Sequence, residues 1–187
     1  MAEITVTNTA SSLHDLFDKV KSVYYKSGAQ DPTTITAVDV ELPIISDGVT
    51  FNTGDVSSTK VRLTDGRTWT SIDELGDSDI SFQVASTSDY INNLFLDNKD
   101  SSESTLGGTL DSKNYKGYGY DITAKKISGA LLMLSENEDT IILLSYCEIT
   151  AALVIEESKP AYYNISVTPV SSEGKKMVYI LHKYNPA

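Results

Sequence analysis

The residues from Lys125 to Val170 constrain the fold of this chain most strongly, because their apolar and polar side chains alternate as in β-strands. We predict three consecutive strands, at about Lys126 to Leu134, Thr140 to Glu156 and Ala161 to Val170. The segments between them, with the sequences SENED and ESKP, are polar and short enough to join adjacent strands. The resulting meander is a scaffold and carries no chemistry of its own.

The long middle strand is predicted to have one continuous apolar face, because side chains alternate between the two faces of a strand. The residues on that face are Ile141, Leu143, Ser145, Cys147, Ile149, Ala151, Leu153 and Ile155. The opposite face is apolar near both ends and polar at Glu148 and Thr150, so we expect it to be only partly covered. A helix over Ala151 to Glu157 is the alternative for the end of this strand.

The composition is typical of a globular domain and argues against a protein that binds the nucleic-acid backbone. The 187 residues are 40% hydrophobic and 22% charged, which favours a single domain over residues 1–187. The formal net charge is −11, from 26 acidic and 15 basic residues. Binding to a phosphate backbone needs concentrated Lys and Arg. The plain interpretation of the acidity is solubility.

Cellular location is constrained by the cysteine content and by the hydropathy pattern. Cys147 is the only cysteine, so an internal disulfide is impossible, and its place on the apolar face indicates a small buried side chain. No apolar run approaches the ~18 residues of a membrane span, and the first residues lack a signal-peptide pattern. We expect a protein that is made and folded in a cytoplasm and has no membrane contact.

Two amphipathic helices are predicted outside the meander. An N-terminal arm or edge strand at residues 1–10 precedes the first helix, whose apolar stripe is Leu13, Leu16, Phe17, Val20 and Tyr24. The second helix is short and capped by Ser88, with Tyr90, Ile91, Leu94 and Phe95 on one face. We expect the first helix to pack on the outside of a β-sandwich.

The rest of the pattern predicts further strands, a hairpin and two loops. The expected strands cover Thr36 to Leu42, Ile80 to Val84 and Met177 to Leu181. A hairpin over Lys60 to Ser71 is expected to turn at Asp65-Gly66, with positive φ at both residues. The polar residues Asn52 to Thr59 are predicted to form a loop, and Asp73 to Asp79 an acidic turn.

The segment from Asp97 to Asp121 lacks periodicity and is long for a loop in a compact domain. Segments of this kind are usually functional or disordered. Its tyrosines, Tyr115, Tyr118 and Tyr120, suit an ordering contact with a partner.

No catalytic, cofactor-binding or metal-binding residue is predicted. The two histidines, His14 and His182, lack the spacing of a metal site or a catalytic triad. Gly107-Gly108 and Gly117-Tyr118-Gly119 do not connect a strand to a helix, so they are not phosphate-binding loops. Three acidic pairs lie in or beside turns, where solvated carboxylates are ordinary, and a cation site is the alternative: Asp77/Asp79, Glu136/Glu138 and Glu156/Glu157. We expect a protein that is not an enzyme and uses no cofactor.

Two blocks of the chain carry a family resemblance. The first runs from Lys60 to Leu96 and contains a strand, the hairpin sequence DGRTW, an alternating strand with ISF and a short helix. The second begins at Gly129-Ala130-Leu131-Leu132, continues through the long strand and includes KPAYY and the strand Asn164 to Val170. In order and spacing, these blocks resemble the bacteriophage major tail protein, the subunit of the tail tube, over roughly half of the chain.

The resemblance implies a β-sandwich or barrel-like tail tube fold whose copies form hexameric rings that stack into a tube. Sheets of neighbouring subunits would line a channel through which DNA passes without specific binding. A loop or arm would reach the adjacent ring, and the candidates are Asp97 to Asp121, Asn52 to Thr59 and residues 1–10. The channel face should carry more carboxylates than amines, because an acidic wall repels DNA.

The same resemblance implies the partners and the location of the protein. Beyond copies of itself, the chain would contact a tape-measure protein and a tail terminator. It would reside in the virion tail after assembly in the cytoplasm of a host bacterium.

Two other interpretations stay open. One is a different β-rich virion protein, such as a decoration or tail-terminator protein, which would keep a fixed copy number and never polymerise. The other is a carbohydrate-binding or adhesive β-sandwich with Tyr115, Tyr118 and Tyr120 as its aromatic platform. The lack of a secretion signal argues against the second.

Overall fold

The computed structural model describes residues 17–45, 48–123 and 125–184 of the chain. Within these ranges it contains one short α-helix, α1 (Asp89–Phe95), and otherwise only strands as regular structure. The strands are β1 (Val20–Ser27), β2 (Val40–Leu42), β3 (Thr50–Asn52), β4 (Val56–Arg62), β5 (Thr68–Leu75), β6 (Asp79–Val84), β7 (Ser104–Thr105), β8 (Lys116–Gly117), β9 (Lys126–Ser135), β10 (Thr140–Val154), β11 (Tyr162–Pro169) and β12 (Val178–His182).

Eight of the strands form one antiparallel sheet in the order β2-β1-β9-β10-β11-β6-β3, with β12 attached to β10 outside this path. The other four form two separate pairs, β4 with β5 and β7 with β8. The protein is therefore mainly β, as predicted, and its large sheet is not closed into a barrel.

The long strand β10 is shared by three neighbours. β9 lies along one side of it, while β12 pairs with its first residues and β11 with its last eight. The three predicted strands of the meander are confirmed within one or two residues of their expected ends. The helical alternative beyond Ala151 is wrong, because Ala151 to Val154 belong to the ladder with β11.

The prediction of one continuous apolar face on β10 is wrong, because a β-bulge interrupts the alternation. The register with β9 shifts between Leu144 and Cys147, and an extra residue in one strand reverses the side on which later side chains lie. Leu144 therefore faces the core before the bulge, whereas Cys147 and Ile149 face it afterwards. Ile141, which an unbroken alternation would place with Cys147 and Ile149, instead lines a groove on the opposite side of the sheet. Leu153 stays on their side after the bulge but is 44% exposed, so the face is not packed throughout.

The core lies on one face of the sheet, and strands near both edges of the sheet contribute side chains to it. Fully enclosed side chains include Val23 of β1, Leu131 and Met133 of β9, Phe82 of β6, and Tyr163 and Ile165 of β11. Strands β1 and β6 are separated by three others, so the sheet must curl for their side chains to share one cluster. An isolated bridge between Ile44 and Val84 marks where the two ends approach.

The predicted first helix is wrong where the structure describes it, because Val20–Ser27 is strand β1. Its residues up to Leu16, like the arm at residues 1–10, lie outside the described residues, and residues 17–19 form no regular structure. The register with β9 shifts between Val20 and Ser22, so the core-facing residues Val20, Val23 and Tyr25 are spaced by three and then by two. A three-residue step mimics helical spacing, but Val and Tyr favour strands.

The second predicted helix is confirmed as α1. The Ser88 hydroxyl accepts the Ile91 N–H at 3.4 Å and caps the helix. Ile91 and Phe95 are buried, and the Phe95 ring lies 5.3 Å from the Tyr163 ring. Tyr90, which the helical pattern grouped with them, is 53% exposed and does not belong to the buried face.

The other predicted strands are confirmed in part. Ile80 to Val84 lies in β6, and β12 covers most of Met177 to Leu181. The strand expected over Thr36 to Leu42 is reduced to β2, because only Val40, Glu41 and Leu42 find partners on β1.

Gly129 of β9 lies at the closest approach between β9 and β1. A Cβ atom added to Gly129 would lie 2.3 Å from the Lys26 carbonyl oxygen and 2.6 Å from a ring carbon of Tyr25. Gly129 also pairs with Cys147 at the bulge of β10. The absence of a side chain at this position lets β1 and the bulged strand pack on β9 together.

We expect Gly129→Ala to destabilise the protein by about 1–3 kcal/mol, the usual cost of forcing an extra methyl group into a packed site. The matched control is Gly107→Ala, because a Cβ at Gly107 meets no atom within 4 Å. Urea unfolding followed by circular dichroism measures both free energies of unfolding. Equal stability of the two variants would contradict the close approach of β1 to Gly129.

Asp39 ties the segment before β2 to the end of β1. Its carboxylate accepts hydrogen bonds from the Lys26 ammonium at 2.6 Å and from the Ser27 N–H and hydroxyl, both at 2.8 Å. The bond from Lys26, followed by those from Ser27, lowers the pKa of Asp39 from 3.8 to about 2.

Asp39→Asn should remove a stabilisation that depends on pH. A carboxylate with a pKa lowered by folding stabilises fully above its unfolded pKa of 3.8 and loses that contribution as pH falls through about 2. We expect the variant to be less stable than the unchanged protein at neutral pH, with a difference that shrinks as the pH is lowered into this window. Urea titrations over a pH series measure the difference, and a constant difference would contradict the assignment.

Candidate assembly surfaces

The described residues contain no cluster of side chains suited to metal binding. No group of three or more His, Cys, Asp or Glu side chains within these ranges could hold a metal ion. Burial raises the pKa of the Cys147 thiol to about 12, so this thiol is not poised as a nucleophile. His182 lies on β12 with a ring nitrogen 3.4 Å from the Thr140 hydroxyl, while His14 falls outside the described part of the chain. The informative features are instead extended surfaces.

The most prominent surface is the hairpin of β4 and β5, which we call the long hairpin (Val56–Leu75). Every residue of the two strands is exposed except Val61, which is half-buried. The predicted loop from Asn52 to Thr59 is wrong in its second half, because Val56 to Thr59 belong to β4. The acidic turn predicted from Asp73 is likewise shorter, since Asp73 to Leu75 pair within the hairpin.

The long hairpin carries large apolar side chains into solvent. The exposed ones are Val56, Leu63, Trp69, Ile72 and Leu75. Val56 lies directly opposite Leu75 in the ladder, and both are more than 60% exposed. A two-stranded hairpin alone is marginally stable in water, and contiguous exposed apolar side chains mark interaction sites.

The two ends of the long hairpin have defined geometry. At the base, Gly54 has φ of 105° and packs against the Gly76 carbonyl so closely that a Cβ would lie 2.2 Å from its oxygen. At the tip, the Leu63 N–H donates to the Arg67 carbonyl at 2.8 Å. The predicted turn is only partly right, because Gly66 has positive φ (82°) and Asp65 does not.

The second surface is the segment from Asp97 to Asp121, which we call the short hairpin. It is not an irregular loop: β7 pairs with β8, and an antiparallel bridge joins Asp97 to Asp121 at its neck. The neck is reinforced by the Asn98 amide, which donates to the Asp121 carboxylate at 2.7 Å, and by the Asp100 N–H, which donates to the Gly119 carbonyl at 3.0 Å.

Lys125 fixes the base of the short hairpin to the helix α1. Its ammonium donates to the Asn93 carbonyl at 2.7 Å and to the Leu96 carbonyl at 2.9 Å. These carbonyls belong to the last turn of α1, where a cation is favoured by the helix dipole. Both ends of the short hairpin therefore lie beside the C-terminal end of α1.

The tyrosines of the short hairpin do not form an open platform. The Lys99 ammonium covers the Tyr118 ring at 3.7 Å from its centre. The Tyr120 hydroxyl is buried without a hydrogen-bond partner in the described structure, and burial raises its pKa. Only Tyr115 has an exposed side chain, at 46%.

A third surface lies on the side of the large sheet opposite the core. Tyr24, Val38, Leu132, Leu134 and Ile141 line a shallow groove of about 210 Å³ whose walls are entirely apolar. Leu132 and Leu134 alternate with the core residues Leu131 and Met133 along β9, so they point away from the core. The sheet therefore has a second apolar area that the described residues cover only in part.

Comparison with known proteins gives no match: no protein-family model, curated protein or solved structure matches this chain. No helix among the described residues is long and apolar enough to cross a membrane.

Proposed function

We propose that this protein is a structural subunit that polymerises as stacked hexameric rings into a bacteriophage tail tube, the conduit for DNA delivery. The observation that carries the proposal is the long hairpin, whose strands are exposed on both faces and bear apolar side chains. A subunit that functioned alone would gain nothing from such a hairpin, whereas association with further copies would cover it. The resemblance of residues in both halves of the chain to the major tail protein supports the same conclusion.

The free edges of the large sheet also support self-assembly. β2 and β3 end the strand order, and β12 pairs with β10 alone. Unpaired strand edges expose backbone N–H and C=O groups that readily join another sheet. Rings of subunits would pair such edges.

The charge balance is compatible with a conduit. A net charge of −11 favours surfaces that repel the DNA backbone. A channel with more carboxylates than amines would let DNA pass without holding it. Tape-measure and tail-terminator proteins would then be the partners inside and at the end of the tube, within the virion tail.

Electron microscopy of the purified protein tests the proposal directly. We expect rings or tubes of uniform width at high protein concentration, because head-to-tail contacts generate rings and filaments. A closed oligomer of fixed size that never extends would favour a decoration or terminator protein instead. A protein that stays monomeric at every concentration would contradict both.

The short hairpin is the proposed contact between stacked rings. We expect replacement of residues 101–118 by Asn-Gly to abolish tubes and leave rings, because this dipeptide suits a two-residue hairpin turn. The subunit should still fold, since the bridge between Asp97 and Asp121 and the bond between Asp100 and Gly119 are retained. Thermal unfolding serves as the control for folding. Tubes of normal length from the shortened protein would remove the short hairpin from the stacking contact.

A further inference from the structure

The tip of the long hairpin concentrates the residue types that dominate protein interfaces. Both arginines of the chain, Arg62 and Arg67, and its only tryptophan, Trp69, fall within eight consecutive residues. Arg and Trp are the side chains most often found as binding hot spots. Their confinement to one exposed hairpin tip, the turn and the strand ends beside it, points to a contact rather than to support of the fold.

These side chains are available to a partner. Trp69 is 71% exposed. Arg67 pairs with Asp65 of its own loop at 3.2 Å, but its side chain remains 84% exposed. Arg62 forms no ion pair with any other described residue.

The ladder places the tip residues on one face. Val61 pairs with Thr70 and Arg62 with Thr68, so a bulge sets both Thr68 and Trp69 opposite Arg62. Lys60 lies two residues before Arg62 and therefore shares its face. This face of the tip combines an indole with two cations.

The base of the same hairpin has the opposite charge. Residues 53–59 and 71–79 contain no Lys or Arg, and their carboxylates are Asp55, Asp73, Glu74, Asp77 and Asp79. Asp73 pairs with Ser58, and Val56 pairs with Leu75. By alternation these four residues share the face that carries Lys60 and Arg62 at the tip. The base therefore offers an exposed apolar pair beside a carboxylate.

We propose that the tip of the long hairpin of one copy docks on the base of the long hairpin of another copy. Trp69 packs on Val56 and Leu75, and Arg62 pairs with Asp73. The charges and the apolar groups of the two ends are complementary, which gives a second copy of this chain priority over other partners. The inference deepens the proposed function and rests on it for the setting of a ring or tube.

The tip of a long hairpin cannot reach the base of the same hairpin. Arg62 lies six positions after Val56 along β4, a distance of roughly 20 Å in a strand. The contact must therefore be intermolecular. A tip-to-base contact is heterologous and leaves a free tip and a free base on every copy, so it propagates until a ring closes or a filament grows.

Charge reversal at each end tests the contact. Tip reversal is Arg62→Glu with Arg67→Glu, and base reversal is Asp73→Lys with Glu74→Lys. Each variant alone places like charges together, so we expect its association constant in sedimentation velocity to fall at least about tenfold. An equimolar mixture should associate again, because the acidic tip of one variant fits the basic base of the other.

The matched control is Lys19→Glu with Lys176→Glu, which changes the net charge as much as tip reversal does but lies outside the long hairpin. It should associate like the unchanged protein. Trp69 is the only tryptophan, so its fluorescence should shift to the blue on association, and circular dichroism checks that each variant folds.

Failure of this contact is distinguishable from failure of the tail tube proposal. If tubes still form after tip reversal, the tip-to-base contact is wrong and the tail tube proposal stands. If the unchanged protein forms dimers or chains but no tubes, and tip reversal dissociates them, the tip-to-base contact is supported and the tail tube proposal is wrong. A mixture that stays dissociated would also overturn the contact. Binding of a DNA oligonucleotide that requires Arg62 and Arg67, in a protein that does not self-associate, would assign the tip to nucleic acid instead.

Discussion

The structure depends on one constraint: a single antiparallel sheet has to enclose its own core. Since the described residues supply one short helix to cover it, the sheet must curl until β1 and β6 share a cluster of side chains. The β10 bulge between Leu144 and Cys147 makes this possible, because it adds local twist and turns the side chains after it toward the core. Gly129, opposite the bulge, leaves the space that the neighbouring strand needs.

A sheet that curls around one face leaves other surfaces without cover. The groove around Leu132 and Ile141, the edge strands and both hairpins lie outside the core. These surfaces are apolar or have unpaired backbone groups, so burying them in an assembly is favourable. The fold therefore stabilises its centre internally and leaves its periphery exposed, which is the arrangement that the proposed assembly would use.

The two ends of the long hairpin differ in charge. The chain is acidic, yet the tip of the long hairpin is basic and its base is acidic. Unlike ends on one element favour a contact in which each copy uses a different surface from its neighbour. Such contacts extend, whereas a self-complementary patch closes after two copies.

The sequence by itself determined the meander of β9, β10 and β11, the capped helix α1 and the position of the long hairpin, because local alternation and turn residues specify these elements. Only the tertiary structure decided where the alternation breaks. The bulges near Val20 and Leu144 depend on pairing with a distant strand, so the sequence pattern alone predicts a helix at β1 and one unbroken apolar face on β10. The candidate surfaces were decided in the same way, because exposure of Trp69 or Leu132 reflects what the rest of the chain fails to cover.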